Sequence, residues 1–191
     1  MPTVHLEYKK GTIVPVYICN LDKHDNDLFE KQIRESGDAH DKKTNVKAEM
    51  TEWLLTEYES FRNLGVDIVV NHLPHLSGPT IDGSLFDWII ISLWGNIYHK
   101  GDYTELHEHM PAAYSFTYYV KVPDGSAPLI FDDLGETWYP KEGDLVLFPS
   151  HLNHSVPEHT IDEDRISIAG NLTTAWDIKG GKYIYNASDI V

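Results

Sequence analysis

From about residue 80 onward the chain consists of short β-branched and aromatic runs separated by turn residues, and this pattern narrows its architecture more than any other feature. The runs are LFDWIIISLWGNIY, AYSFTYYVKVP, PLIFDD, TWYP, DLVLFP, HSVPEH and RISIAGNL, spaced roughly eight to twelve residues apart. Such spacing predicts a sandwich or jelly roll. Before residue 80 helical patterns dominate. Asn26-Asp27 can cap a helix carrying Leu28, Phe29 and Ile33, stopped by Gly37. Met50, Trp53, Leu54, Tyr58 and Phe61 follow at three- and four-residue spacing, which predicts a second helix ending near Gly65. The expected fold is α+β and mainly β: a jelly roll with N-terminal helices packed outside. No repeat or linker divides the chain, so it reads as one domain over 1–191, with a helical N-terminal region over 1–80 and a jelly-roll core over 81–191.

Composition removes several function classes. The net charge of −15 is spread along the chain, and Lys42-Lys43 is too short a run to make a basic patch, which argues against nucleic acid as a partner. No apolar run approaches a membrane span, and MPTVHLEYKKGT lacks the apolar segment of a signal peptide. The lone Cys19 rules out an internal disulfide and fits a reducing cytoplasm, in which the sequons at Asn171 and Asn186 are chance matches. Oligomeric state stays open, although a homodimer is the commonest symmetric assembly.

Two of the eleven histidines stand in His107-Glu108-His109. On a strand, residues two apart point to the same face, so both rings can reach one metal ion. Glu108 would point away, whereas Glu105 would share their face as a candidate extra ligand. A third histidine must come from elsewhere, and FPSHLNHSVP offers His151 and His154. Gly143 permits a tight turn, Pro149 stops the strand before it, and His154 then falls at the start of a new strand while His151 stays in the turn. His154 is therefore the favoured third ligand. Gly101 precedes His107 by six positions, and Gly143 precedes Pro149 by six. These spacings resemble the two motifs of the cupin superfamily, and the resemblance implies a double-stranded β-helix, a cupin-like form of the jelly roll. The cupin Glu after the His pair is missing, and His151 stands where the second motif has Gly.

Eleven residues beyond His154 comes Arg165-Ile166-Ser167. On a strand, Arg165, Ser167, Ala169 and Asn171 share one face, and Ile166 and Ile168 the other. An Arg entering a barrel needs an anion, because an unpaired buried charge is very costly. A guanidinium beside a hydroxyl suits a carboxylate. The alternative is a strand-edge Arg paired with Asp162 or Glu163.

The string WGNIYHKGDY…HEH…YSFTYYV…EGDLVLFPSHLNHSVP…DRISIAGN resembles the 2-oxoglutarate/Fe(II)-dependent oxygenases over about residues 45 to 172. Within them it is most similar to a small group that includes cyanophage-encoded proteins, and TNVKAEMTEW resembles that group too. The resemblance implies iron held by His107, His109 and His154, with Arg165 and Ser167 clamping the far carboxylate of 2-oxoglutarate. The usual acidic ligand is replaced by His109, a variant seen in the small group. Replacing a carboxylate by neutral imidazole raises the charge of the metal site by one, and three imidazoles also suit Zn, Ni and Cu. Iron is implied by the resemblance alone.

The same resemblance implies an oxygenase that uses O2 and decarboxylates 2-oxoglutarate to succinate while oxidising, as a hydroxylase, a small-molecule or peptide substrate. Catalysis would rest on His107, His109, His154 and Arg165. Asn96 and Tyr103 are candidate hydrogen-bonding partners of the cosubstrate, against plainer roles as a strand polar residue and a core aromatic. Tyr118 and Tyr119 stand on opposite faces, so only one can line the pocket. The N-terminal segment and residues 110–116 and 173–186 are the expected substrate loops. Two alternatives stand beside this reading: a three-His dioxygenase that needs no 2-oxoglutarate, and a non-catalytic metal-binding jelly roll. A cytoplasmic location is expected, that of the host if the protein is phage-encoded.

Overall fold

A computed structural model describes residues 3–7, 13–77 and 88–174. Residues 175–186 and the sequon at Asn186 lie outside them. Twelve strands form two antiparallel sheets that face each other. The larger joins β1 (Thr3–Glu7), β2 (Ile13–Asn20), β4 (Glu49–Met50), β5 (Trp88–Tyr98), β7 (Tyr114–Lys121), β10 (Asp144–Pro149) and β12 (Arg165–Thr174), in the order β1-β2-β10-β7-β12-β5-β4. The smaller joins β3 (Val46–Lys47), β6 (Tyr103–His107), β8 (Leu129–Phe131), β9 (Glu136–Trp138) and β11 (His154–Val156), in the order β3-β6-β11-β8-β9. This is the jelly roll the strand spacing predicts.

The larger sheet is buried on both faces, so its strands read as continuous apolar runs. All six residues of β10 are buried, with Leu145 and Leu147 on the helix side and Val146 and Phe148 facing the smaller sheet. In β12, Ile166 and Ile168 face the helices. The helices are α1 (Asn26–Ser36) and α2 (Glu59–Asp67), continued by a π-helical turn (Ile68–His72) and a short α3 (Pro74–Ser77). Asp25 caps α1, accepting the Leu28 amide at 3.0 Å. Phe29 and Ile33 of α1 and Phe61 and Leu64 of α2 are packed against the sheet, and each such side chain contributes roughly 1.5–3 kcal/mol by leaving water. Gly95 makes the close approach possible, because a Cβ there would lie 2.6 Å from Ile33 Cγ1.

The N-terminal region departs from the helical expectation. It supplies β1 and β2 to the larger sheet, as well as the two-residue strands β3 and β4. Pro15 argues against a central strand, but it sits opposite His5 of β1, beyond the Tyr17–Asn20 stretch that pairs with β10. The second helix also starts later than predicted. Met50 is in β4, and the chain then runs extended along β5, with Leu93 donating to the Trp53 carbonyl at 2.8 Å and Leu55 to the Leu93 carbonyl at 3.0 Å. Gly65 lies inside α2 rather than at its end. There it lets the helix approach Ile90.

Candidate metal and anion site

The three histidines come from the adjoining ends of two paired strands. His107 is the last residue of β6, and His154 is the first of β11 and its direct cross-strand partner. Their ring centroids are 4.3 Å apart. His109 lies two residues past the strand end, where its amide donates to the Ser150 carbonyl at 2.9 Å. Its ring is 4.7 Å from His107 and 5.0 Å from His154. One ligand nitrogen from each ring lies within 4.8 Å of the other two.

Two of the rings are pre-set for metal binding. His107 Nδ1 faces the Glu105 carbonyl at 2.8 Å, and His154 Nδ1 faces the Leu152 carbonyl at 2.9 Å. A carbonyl only accepts, so each Nδ1 carries the proton and each Nε2 presents a lone pair. Burial keeps the rings neutral, the form in which they bind metal. His154 is pushed down to about 3 by burial and then by His107 and His109. His109 is pushed down to about 4 by burial and then by His107, and burial lowers His107 too.

His109 has no such carbonyl partner among the described residues, and its backbone is held instead. The Ser150 carbonyl takes its amide, and the Ser150 amide donates to the Ala113 carbonyl at 3.1 Å. The buried Ser150 hydroxyl meets Ser115 at 2.7 Å, Ser115 donates to Asn171 Oδ1 at 2.7 Å, and Asn171 Nδ2 donates to Ser92 at 2.9 Å. This polar chain ties three strands of the larger sheet to the turn that leads toward His154.

A bulge in β6 corrects two sequence expectations. His154 pairs with His107, yet Val156 pairs with Thr104, so three steps on β6 face two on β11. The extra residue breaks the alternation. Thr104 and His107 face the interior, whereas Glu105 is exposed and pairs with Lys47 at 3.6 Å. Tyr103 is 41% exposed and does not line the cavity, so it is not placed as a cosubstrate ligand. Thr104 stands there instead, bonded to the Tyr98 hydroxyl at 2.7 Å. His151 is exposed in the turn.

The same cavity also holds a buried guanidinium. Along β12 and β5, Arg165 pairs with Tyr98, Ser167 with Asn96 and Ala169 with Trp94, and all six line the cavity with the three histidines. Arg165 is 1% exposed, its guanidinium carbon 4.7 Å from the Tyr98 ring centroid and 5.1 Å from that of Tyr119. Its Nε and Nη1 are buried without a hydrogen-bond partner among the described residues, and so is the Tyr119 hydroxyl. The alternative ion pairs are absent there too: Asp162 pairs with Lys100 at 2.9 Å, and Arg165 forms no ion pair with Glu163 among the described residues. A buried, unpaired guanidinium costs several kcal/mol, and a carboxylate would offset that cost. Asn96 is buried and accepts from Trp94 Nε1 at 3.0 Å. Tyr118 lies on the opposite face and donates to Asn26 at 2.6 Å. Tyr119 is thus the cavity tyrosine of the pair. About 450 Å³ of space lies among these lining residues, open solvent at the mouth included.

The comparisons fall on the same features. Residues 136–171, which span β9, β10, β11 and most of β12, match the family model described as "Putative 2OG-Fe(II) oxygenase". The fold is that of these oxygenases. A viral collagen prolyl hydroxylase from Paramecium Bursaria Chlorella virus-1, in its 2OG complex, superposes with a TM-score of 0.65 at 14% identity, over 82% of this chain and 94% of that one. A Pseudomonas putida prolyl-4-hydroxylase gives 0.61 at 18% identity, over 83% and 92%. HygX from Streptomyces hygroscopicus, with nickel, 2-oxoglutarate and hygromycin B bound, gives 0.63 at 10% identity, over 93% and 96%. Comparison with curated proteins finds no matching relative. Sequence reasoning on its own gave no role to Tyr98, Trp94 or Thr104. The first two share the Asn96 face of WGNIY, a signal that alternation carries once Asn96 is placed inside.

Proposed function

We propose that this chain is an Fe(II)- and 2-oxoglutarate-dependent oxygenase that hydroxylates a small-molecule or peptide substrate. The observation that carries the reading is Arg165, a buried guanidinium with two unpartnered nitrogens in the same cavity as three convergent neutral imidazoles. His107, His109 and His154 would hold the metal. Arg165 would take the distal carboxylate of 2-oxoglutarate in charge-assisted hydrogen bonds, and the Ser167 hydroxyl and Asn96 amide on the same wall would add neutral ones. When bound, the metal and cosubstrate supply the oxidising chemistry, with loss of CO2 and formation of succinate. The protein fixes both reactants in one geometry and surrounds them with Val156, Phe148 and Leu129, which limits water in the pocket. The single-domain organisation, with helices buttressing the larger sheet, belongs to this proposal. Two of the similar structures are prolyl hydroxylases and one holds hygromycin B, so a peptide and a small molecule both stand as substrate classes.

Two variants separate the metal centre from the clamp. His154→Ala should lower metal stoichiometry from near one to near zero, measured by elemental analysis after dialysis. Arg165→Met should retain the metal and weaken 2-oxoglutarate binding at least tenfold, measured by calorimetry on the Co(II)-loaded protein. Unchanged stoichiometry in the first would contradict the ligand assignment, and unchanged affinity in the second would contradict the clamp.

A further inference from the structure

The cavity has two chemically different ends. Arg165 and Tyr98 form one, and four residues along the paired strands Ala169 and Trp94 form the other, a separation of roughly 13 Å at about 3.3 Å per residue. The His109 ring packs on Trp94 at 6.1 Å, Trp94 packs on Trp53 at 5.0 Å, and Trp53 packs on His40 at 5.1 Å. Trp94 is buried, while Trp53 is 41% exposed. A continuous row of packed rings therefore runs from the histidine cluster, through the cavity-lining Trp94, to the exposed Trp53.

Three observations give this wall a ligand chemistry. Nine large apolar residues are exposed among the described residues, and five of them lie in two short segments beside the site: Trp53, Leu54, Tyr103, Leu106 and Met110. Clustered exposed apolar residues mark binding surfaces. The lysines of the same region are already paired, Lys42 with Asp102, Lys43 with Asp41 at 2.9 Å and Lys47 with Glu105 at 3.6 Å. Glu52 and Glu108, adjacent to Trp53 and between His107 and His109, are exposed with no ion-pair partner among the described residues. The loop at His40 also holds Asp41 and Lys42 at φ of 50° and 54°. Left-handed non-glycine residues cost free energy and cluster at ligand clamps.

We propose that the Trp53–Trp94 wall is the site of the primary substrate, and that it takes a cationic group on an apolar body, such as a protonated or alkylated amine beside an aliphatic or aromatic ring. The tryptophan faces attract the cation and pack the apolar body. The exposed, unpaired Glu52 and Glu108 favour a cation over an anion at this end of the cavity. The inference rests on the oxygenase reading, because it assigns the opposite end of the cavity to 2-oxoglutarate.

The test uses two probes of like shape and opposite charge, phenyltrimethylammonium and benzenesulfonate. Each is added to Co(II)-loaded protein without oxygen, with 2-oxoglutarate saturating so that the Arg165 end is closed. The readout is paramagnetic relaxation of the probe's ring protons, with Co(II) binding followed by its visible absorption. The cation should be relaxed and the sulfonate should not. Trp53→Ala should weaken the cation's binding about tenfold and Trp53→Phe about threefold or less, while Glu108→Gln should weaken it about twofold. Equal relaxation by both probes, or a Trp53→Ala variant that binds the cation unchanged, would overturn the assignment while leaving the oxygenase reading intact. Failure of the unaltered protein to take up Co(II) would instead overturn the metal site, and this inference with it.

Discussion

Replacing Arg165 by Met keeps an unbranched stem of similar reach and removes the charge. In metal-free, cosubstrate-free protein this change should raise stability by about 1–3 kcal/mol, because an uncompensated buried cation is exchanged for apolar packing against Tyr98 and Tyr119. Urea unfolding of the two proteins checks it. Saturating 2-oxoglutarate on the Co(II)-loaded proteins should stabilise only the unaltered one. The histidines make a second prediction. In the folded, metal-free protein His109 and His154 titrate at about 4 and about 3, against an ordinary value of 6.5. The unfolded chain therefore binds more protons than the folded one between pH 6.5 and 4. Stability should be unaffected by these rings above pH 7 and should fall as the pH drops through 6.5, at up to about 1.4 kcal/mol per pH unit for each ring. Unfolding curves at pH 7.5, 6 and 5 test this, and a His154→Leu variant should show a shallower loss. Metal uptake should correspondingly persist at pH 5.5, where free imidazoles are mostly protonated.

At the scale of elements, the large sheet is what holds the site together, since β5 and β12 carry Asn96, Arg165 and Ser167 on one face and the helix-packed core on the other. Gly95 is where α1 presses on that sheet. Gly95→Ala should cost about 1–3 kcal/mol by forcing Ile33 aside, read as a lower urea midpoint with an unchanged metal ligand set. The faces of β12 were legible in the sequence because the extra residues in its pairings lie on β5 and β7, so alternation along β12 itself places Arg165 opposite Ile166. β6 was not: its bulge adds one residue, so Tyr103 and Glu105 lost the face that simple alternation assigns them, and Thr104 gained it. The His107-x-His109 pair was readable for a reason only half right. His107 is on the strand, but His109 lies past its end and is held by the Ser150 carbonyl, a contact across 41 residues that spacing does not encode. Along the segment 50–58, three- and four-residue apolar spacing mimicked a helix because Met50 and Leu55 point to the core from an extended chain beside β5, leaving Trp53 for the surface.

At the scale of the whole molecule, the architecture separates support from chemistry. Helices cover the outer face of the larger sheet, while the cavity between the sheets is lined by Arg165, the three imidazoles and Trp94. On the proposed function, one cavity would hold a dicarboxylate cosubstrate and a second reactant beside one metal. The jelly roll was legible from strand spacing, and the similar solved structures share it at 10–18% identity. The N-terminal strands β1 and β2 were hidden by Pro15 and by a sequence that names no pairing partner. The central claim is that Arg165 and the imidazole centre bind one molecule together. The measurement that tests it most directly is an oxygen-free titration of the Fe(II)-loaded protein with 2-oxoglutarate, following the weak visible metal-to-ligand charge-transfer band. A saturable band that is lost or shifted to at least tenfold higher concentration in Arg165→Met is the predicted result. Bound iron with no band at any 2-oxoglutarate concentration would contradict it, and would point to a three-His site that binds its organic substrate directly.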